Sequence, residues 1–193
     1  ILAVLGRGIT HQQLVGEVSD LRRRLDERYR LGDIARRSTP WQRIYEQIEK
    51  VAQSKASILI TGETGTGKGE VAKAIHQCSR RRDQPFVEVN CGALPEGIVE
   101  SELFGHEKGA FTHADRQKLG RFDLAGAGTL FFDEVSEMSA STQVKLLRVI
   151  QEREFMRVGG TRVIHTNARI VAASNVDLKE SVKNKTFRED LYY

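Results

Sequence analysis

One stretch decides the fold of this chain: Gly62-Glu63-Thr64-Gly65-Thr66-Gly67-Lys68. It follows an apolar run at residues 57–61 that is typical of a buried strand, and it precedes a helical pattern in Val71, Ala72 and Ile75. Because glycine tolerates the required dihedral angles, successive backbone N–H groups of such a turn can point at one spot. That spot also lies at a helix N-terminus, which attracts anions. With Lys68 placed for the β- and γ-phosphates, the pattern predicts a nucleoside triphosphate site.

The residue after Lys68 departs from the usual phosphate-loop pattern. A Ser or Thr there usually offers a hydroxyl to magnesium, whereas this chain has Gly69. A glycine in the first helical turn also weakens the helix by roughly 0.5–1 kcal/mol relative to alanine. We therefore expect metal binding to depend more on acidic groups elsewhere.

A second apolar run, at residues 128–132, ends in the two carboxylates Asp133 and Glu134, which is the form of a Walker B strand. At the carboxyl end of a buried parallel strand, Asp133 is placed to hold Mg²⁺ and Glu134 to orient or deprotonate the attacking water. A strand that ends in a solvated acidic turn is the commoner case for such a run alone. The phosphate loop upstream in an α/β pattern favours the Walker B interpretation.

Length and composition exclude several classes of protein. The chain has 193 residues, of which 39% are hydrophobic and 29% charged, which suits one α/β domain with a short extension. No apolar run approaches the ~18 residues of a membrane span, and no secretion signal is visible. Cys78 and Cys91 lack metal-ligand spacing, so we expect a reducing, cytoplasmic location. The net charge of +4 argues only weakly for an acidic partner.

The N-terminal part carries a short helical pattern. Its apolar residues recur at spacings of four, three and four: Leu14, Val18, Leu21 and Leu25. The pattern fits a short coiled coil between two chains or an amphipathic helix packed on its own domain. We assign residues 1–36 to this linker and residues 37–193 to the α/β domain. The chain begins at Ile1 and stops at Tyr193 without an evident cap, so we expect both ends to be cut.

Strands and helices alternate along the α/β domain. Ser38-Thr39-Pro40 predicts a helix start. Strands are expected at 86–89 and 169–174, a hairpin around 155–166, and a helix around 98–104. A further helix is expected to carry Val144, Leu147 and Ile150 on one face. This alternation predicts a three-layer fold with a parallel sheet.

Several motifs carry a family resemblance. Residues 102–107 read ELFGHE and residues 109–112 read GAFT, and they resemble the ELFGHE…GAFTGA insertion of the sigma-54-dependent transcription activators. Residues 120–134 look like the Walker B region of that family, and residues 187–193 resemble its arginine-finger stretch. From Leu25 onward the chain therefore resembles the AAA+ domain of these bacterial enhancer-binding proteins.

The resemblance implies an ATPase that uses ATP and Mg²⁺. Its nucleotide-binding set is the phosphate loop with Gly69 and Asp133, and Glu134 activates water. Asn175 matches the sensor I position, and Asn90 matches the residue that pairs with the catalytic glutamate. Arg188 matches an arginine finger that reaches the γ-phosphate held by a neighbouring subunit. The loop that contacts sigma-54 matches these residues: Gly109, Ala110, Phe111, Thr112, His113 and Ala114.

The resemblance also implies partners and a fold. The partners are the sigma-54 RNA polymerase holoenzyme, further copies of the chain in a ring hexamer, and DNA through a domain outside this chain. The fold is a three-layer, parallel-sheet P-loop NTPase of the AAA+ type. In such domains a further core strand flanks the phosphate-loop strand and is followed by a helical lid. Both would follow Tyr193, which makes 58–61 an exposed apolar edge.

Three positions depart from the family pattern: Gly69, Ala35-Arg36 where Ile-Gly is usual over the adenine, and His113-Ala114 where the loop usually closes with Gly-Ala. They leave an alternative function open, a nucleotide-binding transcription regulator that has lost sigma-54 contact and acts as a binding module. A metabolic kinase with a phosphate loop is disfavoured, because no phosphoacceptor site is visible and the insertion fits the activators.

Overall fold

The structure is a computed structural model that describes residues 39–93, 95–112 and 114–193. The chain divides into a unit that ends at Glu46 and a unit from Gln47 to Tyr193, and the sheet and the site belong to the second unit. The linker predicted for residues 1–36, its helical pattern, positions 35–36 and His113 lie outside the described residues. No helix in the described part is long and apolar enough to cross a bilayer.

Helices and strands alternate along the described residues. The helices are α1 (Thr39–Ala52), α2 (Lys68–Gln77), α3 (Glu96–Phe104), α4 (Arg121–Ala125), α5 (Ala140–Glu152), α6 (Leu178–Lys183) and α7 (Glu189–Tyr192). The strands are β1 (Ile58–Thr61), β2 (Phe86–Asn90), β3 (Thr129–Asp133), β4 (Glu154–Met156), β5 (Val163–His165) and β6 (Arg169–Ser174). A 3₁₀ turn at Val135–Glu137 follows β3. The predicted strands, the hairpin and the first helix are all present.

The main sheet contains four parallel strands in the order β1-β6-β3-β2. Thr61 lies opposite Ser174, and Asn90 lies opposite Asp133. The carboxyl ends of the four strands therefore meet at one rim, which is where ligands bind in open parallel sheets. β4 and β5 form a separate antiparallel hairpin.

Both faces of the sheet are covered, as the three-layer prediction requires. Side chains of a strand alternate between faces, and all three central side chains of β3 are fully buried. Phe132 packs on one face near Phe122, with ring centroids 6.1 Å apart. Phe131 packs on the other face near Phe86, at 6.1 Å. Arg169 at the start of β6 is 2% exposed, and its guanidinium donates to the carbonyls at the end of α1.

The predicted helix with an apolar face is present as α5, but that face is not the one it buries. Val144 is 49% exposed, and Leu147 and Ile150 are only partly buried. The helix buries a neighbouring face instead, which consists of Thr142, Gln143, Leu146 and Val149. The polar residues of this face turn inward because they have hydrogen-bond partners there, which apolar periodicity cannot reveal.

β1 lies at the edge of the sheet in the described part of the chain, as the resemblance implies. Its Leu59 is 40% exposed. A groove of about 350 Å³ runs beside it and is lined by Leu59, Leu147, Ile150 and Tyr192, among others. Leu147 and Ile150 on the outer face of α5 thus line this groove and do not lie in the core.

Candidate active site

The phosphate loop joins the end of β1 to the first residue of α2. Gly65 and Gly67 have φ values of 80° and 84°. A Cβ atom at either position would meet nothing within 4 Å, so the left-handed dihedral angle rather than space requires glycine. The turn directs the loop onto the N-terminus of α2, whose first N–H groups have no partner within the helix. The backbone is thus shaped to receive an anion.

The ammonium of Lys68 lies over this loop. Its Nζ donates to the carbonyl oxygens of Gly62 and Glu63, both at 2.8 Å. The hydroxyl of Thr66 also donates to the Glu63 oxygen, at 2.7 Å, and closes the turn. A phosphate in the loop would therefore meet a full positive charge beside the backbone N–H groups.

Asp133 and Glu134 follow β3 at the same rim. Glu134 adopts a left-handed backbone, with φ 53° and ψ 51°, which is costly for a residue with a Cβ atom. The strained backbone is held by two hydrogen bonds, from Glu134 N to Asp133 Oδ1 at 3.1 Å and from Glu137 N to Glu134 O at 3.0 Å. Strain of this kind is concentrated at functional sites.

The carboxylate of Glu134 lies over Gly92. A Cβ atom on Gly92 would sit 2.7 Å from Glu134 Oε2. Asn90 Oδ1 accepts from the N–H groups of Gly92 and Ala93, at 2.9 Å each. The structure places Asn90 beside Glu134 but gives the two side chains no direct hydrogen bond, so their pairing stays a prediction.

Asn175 follows β6 and reaches the phosphate loop. Its Nδ2 donates to Thr64 Oγ1 at 3.3 Å. The predicted sensor side chain thus lies where it can contact a phosphate bound in the loop.

The rim carries a negative field between β2 and β3. Burial raises the pKa of the Cys91 thiol to about 12, and the charges of Asp133 and Glu134 act in the same direction. Cys91 is therefore a buried neutral thiol next to two carboxylates.

The donor set at this rim fits Mg²⁺ bound together with a nucleotide. The described residues contain no cluster of three or more His, Cys, Asp or Glu side chains that could hold a metal ion. Mg²⁺ is usually held by one or two carboxylates together with water and substrate phosphates. Asp133 can supply such a carboxylate, and Gly69 adds no hydroxyl ligand.

The insertion between α3 and α4 has a narrow neck. A Cβ atom on Gly120 would lie 2.4 Å from Gly105 N, so the two backbones touch directly. Beside them His106 and Lys118 exchange hydrogen bonds of 3.1 and 2.9 Å. In addition, Val158 N donates to Gly105 O and Glu107 N donates to Val158 O, both at 3.0 Å.

Charged groups hold both sides of the neck, and no motif in the sequence indicates their role. Arg157, whose side chain is 10% exposed, donates to Asp123 at 2.8 Å and to Glu107 at 3.4 Å. Glu102 accepts from Lys118 and from Arg121. The hydrogen bond from Lys118 is the main reason why the pKa of Glu102 lies below its ordinary value. Apolar periodicity carries no signal for such pairs.

The tip of the insertion presents an aromatic residue. Phe111 is 47% exposed, and its ring meets that of buried His106 edge to face at 4.8 Å. Gly109 N donates to Ala114 O at 2.8 Å, and Ala114 N donates to Phe111 O at 3.0 Å. These two hydrogen bonds bring Ala114 close to Gly109 and Phe111, and the Phe111 side chain between them stays half exposed.

Arg188 lies away from these strand ends, before α7. Its guanidinium binds Asp190 through two hydrogen bonds and is 44% exposed. Its backbone N–H donates to Gln143 Oε1 at 2.9 Å. The contacts that the structure gives Arg188 are with Asp190 and Gln143 and none is with the phosphate loop, so its action on a neighbouring subunit stays a prediction.

Comparison with known proteins gives consistent matches. The sigma-54 interaction domain family matches residues 34–193. The Nif-specific regulatory protein of Herbaspirillum seropedicae is 51% identical over 182 residues, which cover 94% of this chain and 34% of that protein. The chain thus spans about a third of the length of that curated relative.

Solved structures match as well. NtrX from Brucella abortus in complex with ATP has a TM-score of 0.75 and 38% identity, over 81% of this chain and 33% of that one. The P-loop NTPase domain of the sigma-54 transport activator from E. coli has a TM-score of 0.56 and 18% identity, over 81% of this chain and 89% of that one, and shows likeness of fold alone.

Proposed function

This chain belongs to the sigma-54 interaction domain family and has the α/β fold of the P-loop NTPases, and we propose that it hydrolyses ATP to remodel sigma-54 RNA polymerase. The observation that carries the proposal is the convergence at one rim of the phosphate loop, Asp133, Glu134 and Asn175. A related protein, NtrX, was crystallised in complex with ATP, which supports ATP as the nucleotide.

Each residue at the rim has a role in hydrolysis. The N–H groups of the loop and Lys68 bind the phosphates, and Asp133 would hold Mg²⁺. A bound Mg²⁺ ion supplies positive charge that offsets the charge developing on the phosphoryl oxygens. Glu134 orients the attacking water and takes its proton. Asn175 reports on the terminal phosphate through its contact with Thr64.

Hydrolysis requires a second copy of the chain. The Arg188 side chain is 44% exposed and binds Asp190, so its guanidinium can reach the site of a neighbour when it exchanges this carboxylate for the phosphate. Fixed positive donors stabilise charge in phosphoryl transfer when they act across a subunit interface. We propose a ring of subunits, a hexamer by the family resemblance, with DNA bound by a domain outside this chain.

Glu134→Gln tests the hydrolytic role. The amide keeps the shape of the side chain but cannot take a proton, so ATP affinity should be retained while kcat falls by roughly 10²–10⁴-fold. Glu137→Gln, in the same turn, is the matched control and should hydrolyse ATP normally. Normal turnover by Glu134→Gln, or loss of turnover in Glu137→Gln alone, would contradict the assignment.

The link to sigma-54 depends on the insertion tip. Phe111→Ala should preserve ATPase activity and abolish open-complex formation at a sigma-54 promoter, because the exposed ring is the contact. The departure at position 113 supports the alternative of a regulator without sigma-54 contact. Comparison of the protein with His113→Gly separates the two functions. If the protein hydrolyses ATP but opens the promoter neither with His113 nor with Gly at that position, it is a binding module.

A further inference from the structure

Gln143 is the most deeply buried amide side chain of the described part of the chain, at 1% exposure. It lies in the first turn of α5, where its backbone N–H donates to Ser139 O at 2.9 Å. Leu146 and Val149 continue the same buried face. A polar side chain in such surroundings is tolerated only when its hydrogen bonds are satisfied.

The amide of Gln143 makes three hydrogen bonds to backbone groups. Oε1 accepts from Arg188 N at 2.9 Å, and Nε2 donates to Thr186 O at 3.0 Å and to Met138 O at 2.9 Å. Since one neighbour is a donor and two are acceptors, the orientation of the amide is determined by its partners. Gln143 thus binds the backbone on both sides of Phe187, with one accepted and one donated hydrogen bond, as a peptide group of an adjacent strand would.

These contacts join two parts of the proposed machinery. Met138 O ends the short turn that begins at Glu134, in which Glu137 N donates to Glu134 O and Met138 N to Val135 O. On the other side, Gln143 fixes the backbone of Arg188. The guanidinium of Arg188, by contrast, is held by a residue close in sequence, Asp190.

From this geometry we propose that Gln143 is a positioning residue, which fixes the backbone of Arg188 relative to the turn of Glu134 and so aims the guanidinium at the neighbouring subunit. The inference rests on the proposed function, in which Arg188 acts in trans. The three hydrogen bonds of the Gln143 side chain all go to backbone groups, and the turn of Glu134 keeps its own hydrogen bonds without them. Loss of Gln143 should therefore impair the site of the neighbour and leave the nucleotide site of its own subunit competent.

Two variants of the intact protein test this. Gln143→Met keeps the length and removes all three hydrogen bonds, and Gln143→Glu keeps the acceptor and removes both donors. Each should bind ATP with an affinity within about twofold of the parent and lose roughly 10- to 100-fold in kcat, the cost of misplacing a group by about 1 Å. Gln151→Met, at an exposed position of the same helix, is the control and should hydrolyse ATP normally.

Mixed oligomers separate positioning from general damage. Lys68→Ala subunits cannot hold the nucleotide but present an intact Arg188. Arg188→Ala subunits hold the nucleotide but lack the guanidinium. A reference mixture of these two should regain hydrolysis. Subunits with Gln143→Met or Gln143→Glu, each mixed with excess Lys68→Ala subunits, should then regain the rate of hydrolysis per intact nucleotide site.

The outcomes distinguish the two proposals. If the reference mixture stays inactive, action in trans is wrong and the proposed function fails together with this inference. If the reference mixture is active but neither Gln143 variant is rescued, Gln143 acts on its own nucleotide site or on folding, and the positioning role is wrong. Rescue of either variant, together with unchanged ATP affinity, supports the role.

Discussion

Gly120→Ala should open the neck of the insertion. Gly120 has φ −88° and ψ 173°, which any residue adopts, so the effect of the added methyl group is steric alone. Its Cβ atom would lie 2.4 Å from Gly105 N, 2.5 Å from Leu103 O and 2.5 Å from Phe104 C. All three neighbours are backbone atoms, and Phe104 is 1% exposed, so the contact cannot be relieved by a side-chain rotation.

The cost can be worked out from these contacts. To bring the added Cβ atom to van der Waals distance from these atoms, the two backbones must move apart by ~1 Å. That movement would lengthen the two hydrogen bonds between His106 and Lys118 beyond hydrogen-bonding distance. Overpacking costs about 1–3 kcal/mol, and each lost hydrogen bond about 1 kcal/mol. We therefore expect the neck to be destabilised by about 3–5 kcal/mol.

Hydrogen exchange on the intact protein measures this directly. The amides of His106 and Lys118 should lose protection in Gly120→Ala, while ATP affinity is retained because the phosphate loop lies on other elements. Gly97→Ala is the control, since a Cβ atom there meets nothing within 4 Å inside α3. That change should stabilise the helix by about 0.5–1 kcal/mol. Unchanged protection at His106 and Lys118 in Gly120→Ala would refute the steric reasoning.

Three further predictions concern single side chains. Burial lowers the pKa of His76 below 6.5, so the unfolded chain binds more protons than the folded one below that pH. The free energy of unfolding should therefore fall as the pH drops below 6.5, until His76 is protonated in the folded state as well, and urea titrations should show this contribution lost in His76→Gln. Burial raises the pKa of Cys91 to about 12, so iodoacetamide at neutral pH should alkylate Cys78 and spare Cys91 until the protein unfolds, as peptide mass spectrometry would detect. Leu59→Lys places a charge on the β1 edge and should reduce self-association of residues 1–193 in sedimentation velocity, and unchanged association would exclude this edge as the contact.

The parts of the site that could be predicted are those whose chemistry is local. The phosphate loop and the pair Asp133 and Glu134 each combine a residue pattern with a strand end, so the sequence alone places them. Asn90 and Asn175 were identified by resemblance, because an Asn at a strand end is otherwise an ordinary turn residue. The position of β6 between β1 and β3 has no local signal, since alternation predicts parallel strands but not their order.

Residues that act over long sequence separations could not be predicted. Gln143 binds Arg188 across 45 residues, and Arg169 binds Ala52 across 117. Gln143 and Arg169 are both polar residues within apolar stretches of sequence. Without knowledge of the backbone partner, such a residue only interrupts the apolar pattern. For the same reason, apolar spacing indicates the outer face of α5 but not its buried face, which includes Thr142 and Gln143.

The alignment of the strand ends determines which changes of length this domain can accept. A segment inserted next to Asp83, in the exposed part of the connection between α2 and β2, adds chain at the surface and leaves the strand ends in place. One residue inserted within β3 would shift Asp133 by about 3.3 Å and turn it to the opposite face of the sheet. Natural variation in length should therefore accumulate in the connections and be absent between Thr129 and Asp133.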